Sequence, residues 1–200
     1  MYTLIIKGGI VMVPIIVGSI IALTILIERI IYFLRVKNFT IEFSPQIKRL
    51  IKNKDINSAI ALCKKNKNEH LPNIILAGLM SVNDGKDSVK TAIVEAGNYE
   101  LPKLEHYLAV LGIIATIEPL LGLLGTVTGM IKAFSVIAQE GLVYSAGLAG
   151  GISEALITTA AGLFIGIPCL IANHYLLNVA DNIATDMEKE SSNILKLLVQ

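Results

Sequence analysis

Three long uncharged runs dominate the pattern of hydrophobic and polar residues along the 200-residue chain. Residues 10–27 carry no charge, residues 108–131 carry only Glu118, and residues 146–173 carry only Glu154. Because a helix needs roughly 20 apolar residues to cross about 30 Å of hydrocarbon, each run is long enough to span a membrane. The pattern predicts three transmembrane helices, with two carboxylates at depths where a charge is unfavourable.

The residues outside these runs also show helical spacing. Apolar side chains recur at Ile47, Leu50 and Ile51, as expected for helices that bury one face. A turn signal at residues 83–87 and the proline Pro102 predict breaks before the second run. The fold class is an all-α membrane protein with three transmembrane helices and cytoplasmic helical extensions. The predicted segments are 1–34 (N-terminal segment and first transmembrane helix), 35–105 (cytoplasmic helical segment), 106–137 (second transmembrane helix), 138–146 (short periplasmic loop), 147–176 (third transmembrane helix) and 177–200 (cytoplasmic C-terminal helix).

The distribution of charge predicts an orientation. Of the 17 lysines and arginines, 12 lie between Arg35 and Lys103. Cytoplasmic segments carry an excess of such residues, so the middle segment and the C-terminus are predicted to be cytoplasmic and the N-terminus periplasmic. The formal net charge of +1 gives no basis for nucleic-acid binding.

Composition also argues against several kinds of site. The two cysteines lack the spacing of a metal site or a structural disulfide, so no metal is expected. The three histidines are scattered and are predicted to lie at solvent or at interfaces. Residues 151–154, Gly-Ile-Ser-Glu, lack the second glycine of an intramembrane serine protease, and GLLGTVTG lacks the lysine of a phosphate loop. An enzyme is not expected.

Glycine is concentrated in the second and third runs. Ten of the 16 glycines lie between Gly112 and Gly166. Small residues at three- and four-residue spacing allow membrane helices to approach closely. They predict tight helix packing and self-association. The candidate packing glycines are Gly122, Gly125, Gly129, Gly150, Gly151 and Gly162.

Two threonines stand on these small-residue stripes. If the second and third spans form a hairpin that turns near Leu142 and Val143, Thr126 and Thr159 lie at the same depth. Two hydroxyls at one level could hydrogen-bond to something that passes between the helices or inserts beside them. The alternative is that each hydroxyl bonds the carbonyl one turn back on its own helix.

The two intramembrane acids have different predicted surroundings. The same hairpin places Glu154 level with Lys132, which predicts either a functional acid or a structural ion pair. Glu118 lies eight residues, about 12 Å, from Thr126 on the cytoplasmic side. It is predicted to be a carboxylate at a hydrated cytoplasmic mouth.

The segments IEPLLGLLGTVTGMIKAF, at residues 117–134, and GGISEALITTAAGLFIGIP, at residues 150–168, resemble the paired signature of the MotA/TolQ/ExbB proton-channel family. The similarity is closest to the ExbB branch, and three spans rather than four argue against the MotA branch. The resemblance implies that Thr126 and Thr159 match the two pore threonines of the family and that Glu154 matches the glutamate of its third span.

The resemblance further implies a motor in the bacterial inner membrane. Five copies would surround a central pore that holds the single transmembrane helices of two ExbD or TolR subunits. Protons would be the coupling ion, with no cofactor, and a TonB-like protein would carry the work to outer-membrane transport. Membrane lipids would surround the complex. The alternatives are a TolQ-like subunit that energises Tol-Pal envelope maintenance and a non-conducting scaffold for a partner helix.

One residue departs from the resemblance. The family usually has an apolar or small residue before the proline of the second span, where this chain has Glu118. A role for Glu118 is therefore a hypothesis specific to this sequence.

Overall fold

The computed structural model describes residues 8–140 and 145–198, and within these ranges it contains helices and turns but no strand. The turn predicted near Leu142 and Val143 lies outside the described residues. Two short 3-10 segments, Val82–Asp84 and Leu101–Glu105, join the longer helices. The α-helices are α1 (Met12–Lys52), α2 (Ile56–Lys65), α3 (His70–Met80), α4 (Lys86–Glu100), α5 (Leu108–Glu140) and α6 (Ser145–Leu198).

Three of the described helices, α1, α5 and α6, contain stretches long and apolar enough to cross a membrane. This agrees with the number predicted from the uncharged runs. Large apolar side chains remain exposed along all three helices, including Ile20, Leu123 and Phe164. In a membrane protein such faces contact lipid or other membrane helices, so their exposure is consistent with the predicted spans.

The chain divides into two compact units. The glycine-rich unit consists of Met1–Glu28 and Tyr107–Tyr175, and the charged unit consists of Arg29–His106 and Leu176–Gln200. The first contains 13 of the 16 glycines, and the second contains 15 of the 17 lysines and arginines. The division of the fold therefore follows the composition of the sequence.

In the glycine-rich unit, the beginning of α1 packs against both other long helices. Val11, Met12 and Ile15 are buried there. Their partly buried neighbours are Ile16 of α1, Leu121 of α5, and Ala161 and Ile165 of α6. Pro14 is accommodated because it lies in the first turn, where the backbone N–H has no intrahelical acceptor.

Helices α5 and α6 approach each other backbone to backbone. A Cβ atom on Gly129 would lie 2.7 Å from the carbonyl oxygen of Gly151, and one on Gly151 would lie 2.7 Å from the carbonyl oxygen of Gly129. A Cβ on Gly162 would lie 2.5 Å from the carbonyl oxygen of Glu118. The contacts move backwards along α6, from Gly162 to Gly151, as they move forwards along α5, from Glu118 to Gly129, so the two helices run antiparallel. Only glycine permits this separation.

Gly150 does not take part in this contact. Apart from its chain neighbours and the backbone of its own helix, no heavy atom in the described part of the chain lies within 4 Å of the position that its Cβ would occupy. The predicted packing role of Gly150 is therefore wrong for contacts within the chain. The reason is helical geometry: neighbouring residues point about 100° apart, so Gly151 faces α5 and Gly150 does not.

In the charged unit, α1 and α6 continue beyond the predicted ends of their spans. Position 34 is not a helix end, because α1 runs without interruption to Lys52. Likewise α6 has no break at position 177 and runs to Leu198. Both extensions keep an apolar stripe at helical spacing. The buried residues of these stripes are Phe43, Ile47 and Ile51 in α1 and Leu176, Ala180, Ile183, Met187 and Ile194 in α6.

The short helices pack between defined breaks. Asp55 caps α2, with its Oδ1 atom accepting a hydrogen bond of 3.1 Å from the Ser58 backbone N–H. Gly85, at φ +98°, provides the turn before α4. The break predicted at Pro102 is confirmed, because α4 ends at Glu100 and a 3-10 segment carries the chain to α5. The α3 and α4 residues Ile74, Val89 and Ile93 form a buried cluster.

A buried polar cluster lies in the charged unit around Glu100. The Oε2 atom of Glu100 is 2.8 Å from His70 Nδ1, and Oε1 is 2.9 Å from Lys103 Nζ. The Asn73 side-chain amide donates to Oε1 over 3.2 Å. Tyr32 completes the cluster, with its hydroxyl 2.5 Å from His70 Nε2. The prediction that His70 lies at solvent or an interface is wrong, because this side chain is buried within the unit.

The partners of Glu100 determine its charge. Burial alone would raise the pKa of Glu100, but the hydrogen bonds and charges of Lys103 and His70 outweigh burial and hold the pKa below its usual range. An ionised carboxylate can only accept hydrogen bonds, so His70 Nδ1 carries the proton in this contact. Glu100 is thus an ionised group inside the charged unit.

Replacing Gly129 by Ala should destabilise the protein. The new methyl group would overlap the Gly151 backbone and force α5 and α6 apart, so we expect a loss of about 1–3 kcal/mol in unfolding free energy. Thermal unfolding in detergent, followed by the helical circular dichroism signal, measures this. Gly150→Ala is the control and should be neutral or stabilising by up to about 1 kcal/mol. Effects of the same sign and size in both variants would contradict the packing described.

Replacing Glu100 by Gln should lower stability at neutral pH by about 1.5–3 kcal/mol, because charged hydrogen bonds are lost in a buried place. The folded-state pKa of Glu100 is lowered, so its stabilisation is present above the unfolded-state pKa of about 4.3 and is lost as the pH falls through the folded value. The difference between wild type and variant should therefore shrink in acid. Unfolding measured from pH 7 to pH 3 tests this, with the exposed Glu95→Gln on the same helix as control.

Candidate functional site

The candidate site lies in the glycine-rich unit, where α5 and α6 carry polar side chains between and beside their glycines. Thr126, Lys132 and Glu118 belong to α5, and Glu154 and Thr159 belong to α6. All five were singled out from the sequence. The register of the two helices decides which of them meet.

The two threonine hydroxyls do not meet at one level. Thr159 Oγ1 donates across the helix contact to the carbonyl oxygen of Gly122, 3.0 Å away. Thr126 lies one helical turn further along α5, and its hydroxyl donates to the carbonyl oxygen of Leu123 over 2.5 Å. The predicted pairing of Thr126 with Thr159 is therefore wrong within one chain, and Thr126 forms the bond to its own helix that was the alternative. A place for either residue on an ion pathway stays a prediction.

A third threonine occupies the centre of the contact. Thr158 is completely buried, and its side chain packs directly against Gly125 of α5. Its hydroxyl donates to carbonyl oxygens of its own helix, at 2.9 Å from Ala155 and 3.1 Å from Glu154. The sequence pattern did not single out Thr158 as a candidate site residue. Its spacing of seven residues from Gly151 and four from Gly162 placed it on the packing face and could have identified it.

Glu154 is paired. Its Oε1 atom lies 2.5 Å from Lys132 Nζ, so the ion pair predicted from the hairpin is present in the structure. The carboxylate also contacts Gly9, just before α1, at a place where a Cβ atom would overlap it. Gly9 has a φ of +68°, which a residue with a side chain rarely adopts. The Glu154 side chain is largely buried, whereas that of Lys132 is half exposed.

Glu118 occupies a different environment from the one predicted. Its exposed fraction is 1%, so within the chain it is not at a hydrated mouth. Its carboxyl group points at Gly18 of α1, where a Cβ atom would overlap Oε1. The Oε2 atom is buried without a hydrogen-bond partner among the described residues. The prediction of a solvated carboxylate is wrong because α1 covers this side of α5, which no periodicity in α5 alone reveals.

The face of α5 that carries Thr126 is open. Thr126 borders a shallow apolar groove on this helix, and large side chains nearby are mostly exposed. The groove is lined by Thr126, Val127, Met130, Ile131 and Phe134. A polar hydroxyl at the edge of an exposed apolar helix face can contact another membrane helix.

The pairing of Lys132 with Glu154 predicts an energetic coupling. In a double-mutant cycle with Lys132→Met and Glu154→Gln, we expect a coupling of about 1 kcal/mol or more, above the 0.2–1 kcal/mol typical of exposed pairs, because the carboxylate is largely buried. Thermal unfolding in detergent provides the four stabilities.

The matched control for this cycle combines Lys132→Met with Glu118→Gln. These residues lie 14 positions apart on α5, roughly 21 Å, so their effects should add. Additivity in the Lys132 and Glu154 cycle as well would show that the ion pair contributes nothing.

Comparison with known proteins identifies several relatives. The biopolymer transport protein ExbB-like 3 of Synechocystis sp. is 31% identical over 166 residues, which cover 82% of this chain and 79% of the relative. The biopolymer transport protein ExbB of Neisseria gonorrhoeae is 34% identical over 99 residues, 49% of this chain and 45% of the relative. The Tol-Pal system protein TolQ of Haemophilus influenzae is 35% identical over 112 residues, 56% of this chain and 45% of the relative.

The family comparison covers the helices that carry the site. The model of the MotA/TolQ/ExbB proton channel family matches residues 66–189, which include all of α5 and most of α6. The match extends over more than half of the chain, and the Synechocystis relative aligns with 82% of it. This is a family of proton channels rather than of enzymes. The chain belongs to the MotA/TolQ/ExbB proton channel family.

Proposed function

We propose that this protein is the channel-forming subunit of an ExbB-type complex that uses the proton motive force to do work at the bacterial inner membrane. The observation that carries the proposal is the glycine-packed pair of α5 and α6, in the region that the family model matches. This pair holds Thr159 and Thr158 between the helices and leaves Thr126 beside an open groove. Thr126 is therefore the hydroxyl of this pair that lies where another membrane helix can reach it.

The open apolar faces support an oligomer with a partner helix. Leu120, Leu123, Val127 and Ile131 on α5 are all more than half exposed in the single chain. We infer that other copies of this chain cover part of these faces, in a homopentamer around a central pore. In that arrangement a single-span protein of the ExbD or TolR type would occupy the pore and approach Thr126.

Protons are the coupling ion in this proposal, with no cofactor. One charge that crosses the membrane releases about 2.3 kcal/mol per 100 mV. This is enough to drive a conformational step of a few kcal/mol in the partner. The lysines and arginines concentrated between Arg35 and Lys103 support a cytoplasmic middle segment and C-terminus, and a periplasmic N-terminus.

For the biological role, we propose the energising of TonB-dependent transport across the outer membrane. Support comes from the ExbB-like relative, whose match covers 82% of this chain. The second candidate is a TolQ-like role in the Tol-Pal system, which is favoured by the 35% identity to TolQ over 56% of the chain. A non-conducting scaffold for a partner helix is the third.

Alanine substitution of the threonines tests the channel. In liposomes that contain this chain with its ExbD- or TolR-like partner, Thr126→Ala and Thr159→Ala should each lower proton flux by on the order of tenfold, or about 1.4 kcal/mol. Proton flux is measured with a pH-sensitive dye under an imposed potential.

Thr128→Ala is the matched control. This residue is also half-buried on α5 and also bonds its own helix, at 3.1 Å from the carbonyl oxygen of Gly125. Its substitution should leave flux within about twofold, since it removes only a local bond of about 1 kcal/mol or less. If the Thr126 and Thr159 variants reduce assembly with the partner but not flux per assembled complex, the scaffold is the better description.

A further inference from the structure

Glu118 is a buried carboxyl group of the glycine-rich unit whose role the packing of the helices does not explain. It lies within a predicted span, its exposed fraction is 1%, and Oε2 has no hydrogen-bond partner among the described residues. An ionised carboxylate in this position would be strongly unfavourable, because the side chain is almost inaccessible to solvent and no described residue donates a hydrogen bond to Oε2. Its surroundings therefore decide its chemical state.

The groups packed around Glu118 provide no positive charge. On α1 the facing residue is Gly18, and on α5 the side chain of Ile114, one turn before Glu118, also lies against Gly18. On α6 the titratable side chain within electrostatic range is Cys169, and a thiol cannot carry a positive charge. In the part of the chain that the structure describes, no lysine, arginine or histidine forms an ion pair with Glu118.

Glu118 and Glu154 differ in the groups that face their carboxylates. Both acids lie in predicted spans, but Glu154 has Lys132 at 2.5 Å while Glu118 has a glycine. Gly18 leaves the space that the Glu118 carboxyl group fills, since a Cβ atom at this position would overlap Oε1. The contact between α1 and α5 is thus built around an acid that lacks a counter-ion.

The number of oxygen atoms that a ligand requires indicates what Glu118 can bind. Cations such as Ca²⁺ and Mg²⁺ need several oxygen ligands at once. Among the described residues, no group of three or more His, Cys, Asp or Glu side chains could hold a metal ion. A proton needs only one carboxylate oxygen, and it removes the charge that burial disfavours.

We propose that Glu118 is a proton-binding site at the contact between α1 and α5, separate from the Thr126 and Thr159 pathway. At neutral pH its carboxyl group carries a proton while α1 packs against it at Gly18. The proton leaves when this contact opens and water reaches the carboxylate. Proton uptake at Glu118 therefore favours the packed state of the two helices.

Infrared spectroscopy of the full-length protein in detergent or lipid tests this directly. A protonated carboxyl group has a carbonyl stretching band that shifts in D₂O and disappears on ionisation. We expect this band at neutral pH in the wild type and in Glu154→Gln, and its loss in Glu118→Gln. Glu100, a buried acid of the charged unit, is held ionised by Lys103 and His70 and adds no such band.

Absence of the band in wild type at neutral pH, or its persistence in Glu118→Gln, would overturn the proposal. Glutamine has nearly the same shape as a protonated glutamate, so the variant should fold. The readout needs neither the partner protein nor proton flux. Failure of the proposed channel function and failure of this inference are therefore distinguishable.

A second variant tests the role of the helix contact. Gly18→Ala would displace the carboxyl group or separate α1 from α5. Water should then reach Glu118, and the pH at which the band disappears should fall by about one unit, a tenfold weaker proton affinity. Gly150→Ala, in the same unit but facing open space, should leave that pH unchanged. Equal titrations in wild type and Gly18→Ala would show that α1 does not control the site.

Discussion

The direct backbone contact between α5 and α6 is the constraint on which the rest of the glycine-rich unit depends. Lipid is as apolar as the side chains it replaces, so membrane helices associate mainly through close van der Waals packing and interhelical hydrogen bonds. Gly129 and Gly151 meet with each backbone against the other, and Gly162 meets the backbone of Glu118. This separation sets the register, and the register decides the neighbours of every polar side chain on the two helices.

The polar groups of this unit have three different surroundings. Thr159 donates a hydrogen bond to the backbone of the opposite helix, and Glu154 forms an ion pair with Lys132. Glu118 has neither kind of partner for Oε2, and it fills the space that Gly18 leaves. A charge at membrane depth without a partner is unfavourable, so the three arrangements imply different protonation chemistry for the two acids. The charged unit shows the opposite case, where Lys103 and His70 stabilise a buried Glu100 as an anion.

Each unit therefore uses a buried carboxyl group differently. In the charged unit, Glu100 forms hydrogen bonds with His70 of α3 and with Lys103 beside Pro102. Tyr32 of α1 contacts the other ring nitrogen of His70, so the cluster connects α1, α3 and the segment around Pro102. In the glycine-rich unit, the Glu118 carboxyl group packs against Gly18, and its Oε2 atom has no hydrogen-bond partner among the described residues. The surroundings of a group decide whether burial favours its neutral or its charged form.

Much of the architecture followed from the sequence. The length of a hydrophobic run is read directly from the order of residues along the chain, so it predicted the three spans. Proline chemistry is local, so it predicted the break at Pro102. The two signature segments indicated the family, and small-residue spacing indicated which faces of α5 and α6 pack together. The apolar stripes also predicted the helices beyond the spans, although not that α1 and α6 continue into them without a break.

Only the tertiary structure decided which residues meet across helices. An estimated hairpin register is uncertain by about one turn, and that shift places Thr159 at Gly122 instead of Thr126. The sequence also did not distinguish Gly151, which contacts α5, from Gly150, which does not. Which of the two faces α5 depends on the rotation of α6 about its axis. The burial of Glu118 depends on α1, which is about 100 residues away along the chain. Composition and periodicity are local properties, whereas register and burial arise from contacts between distant segments.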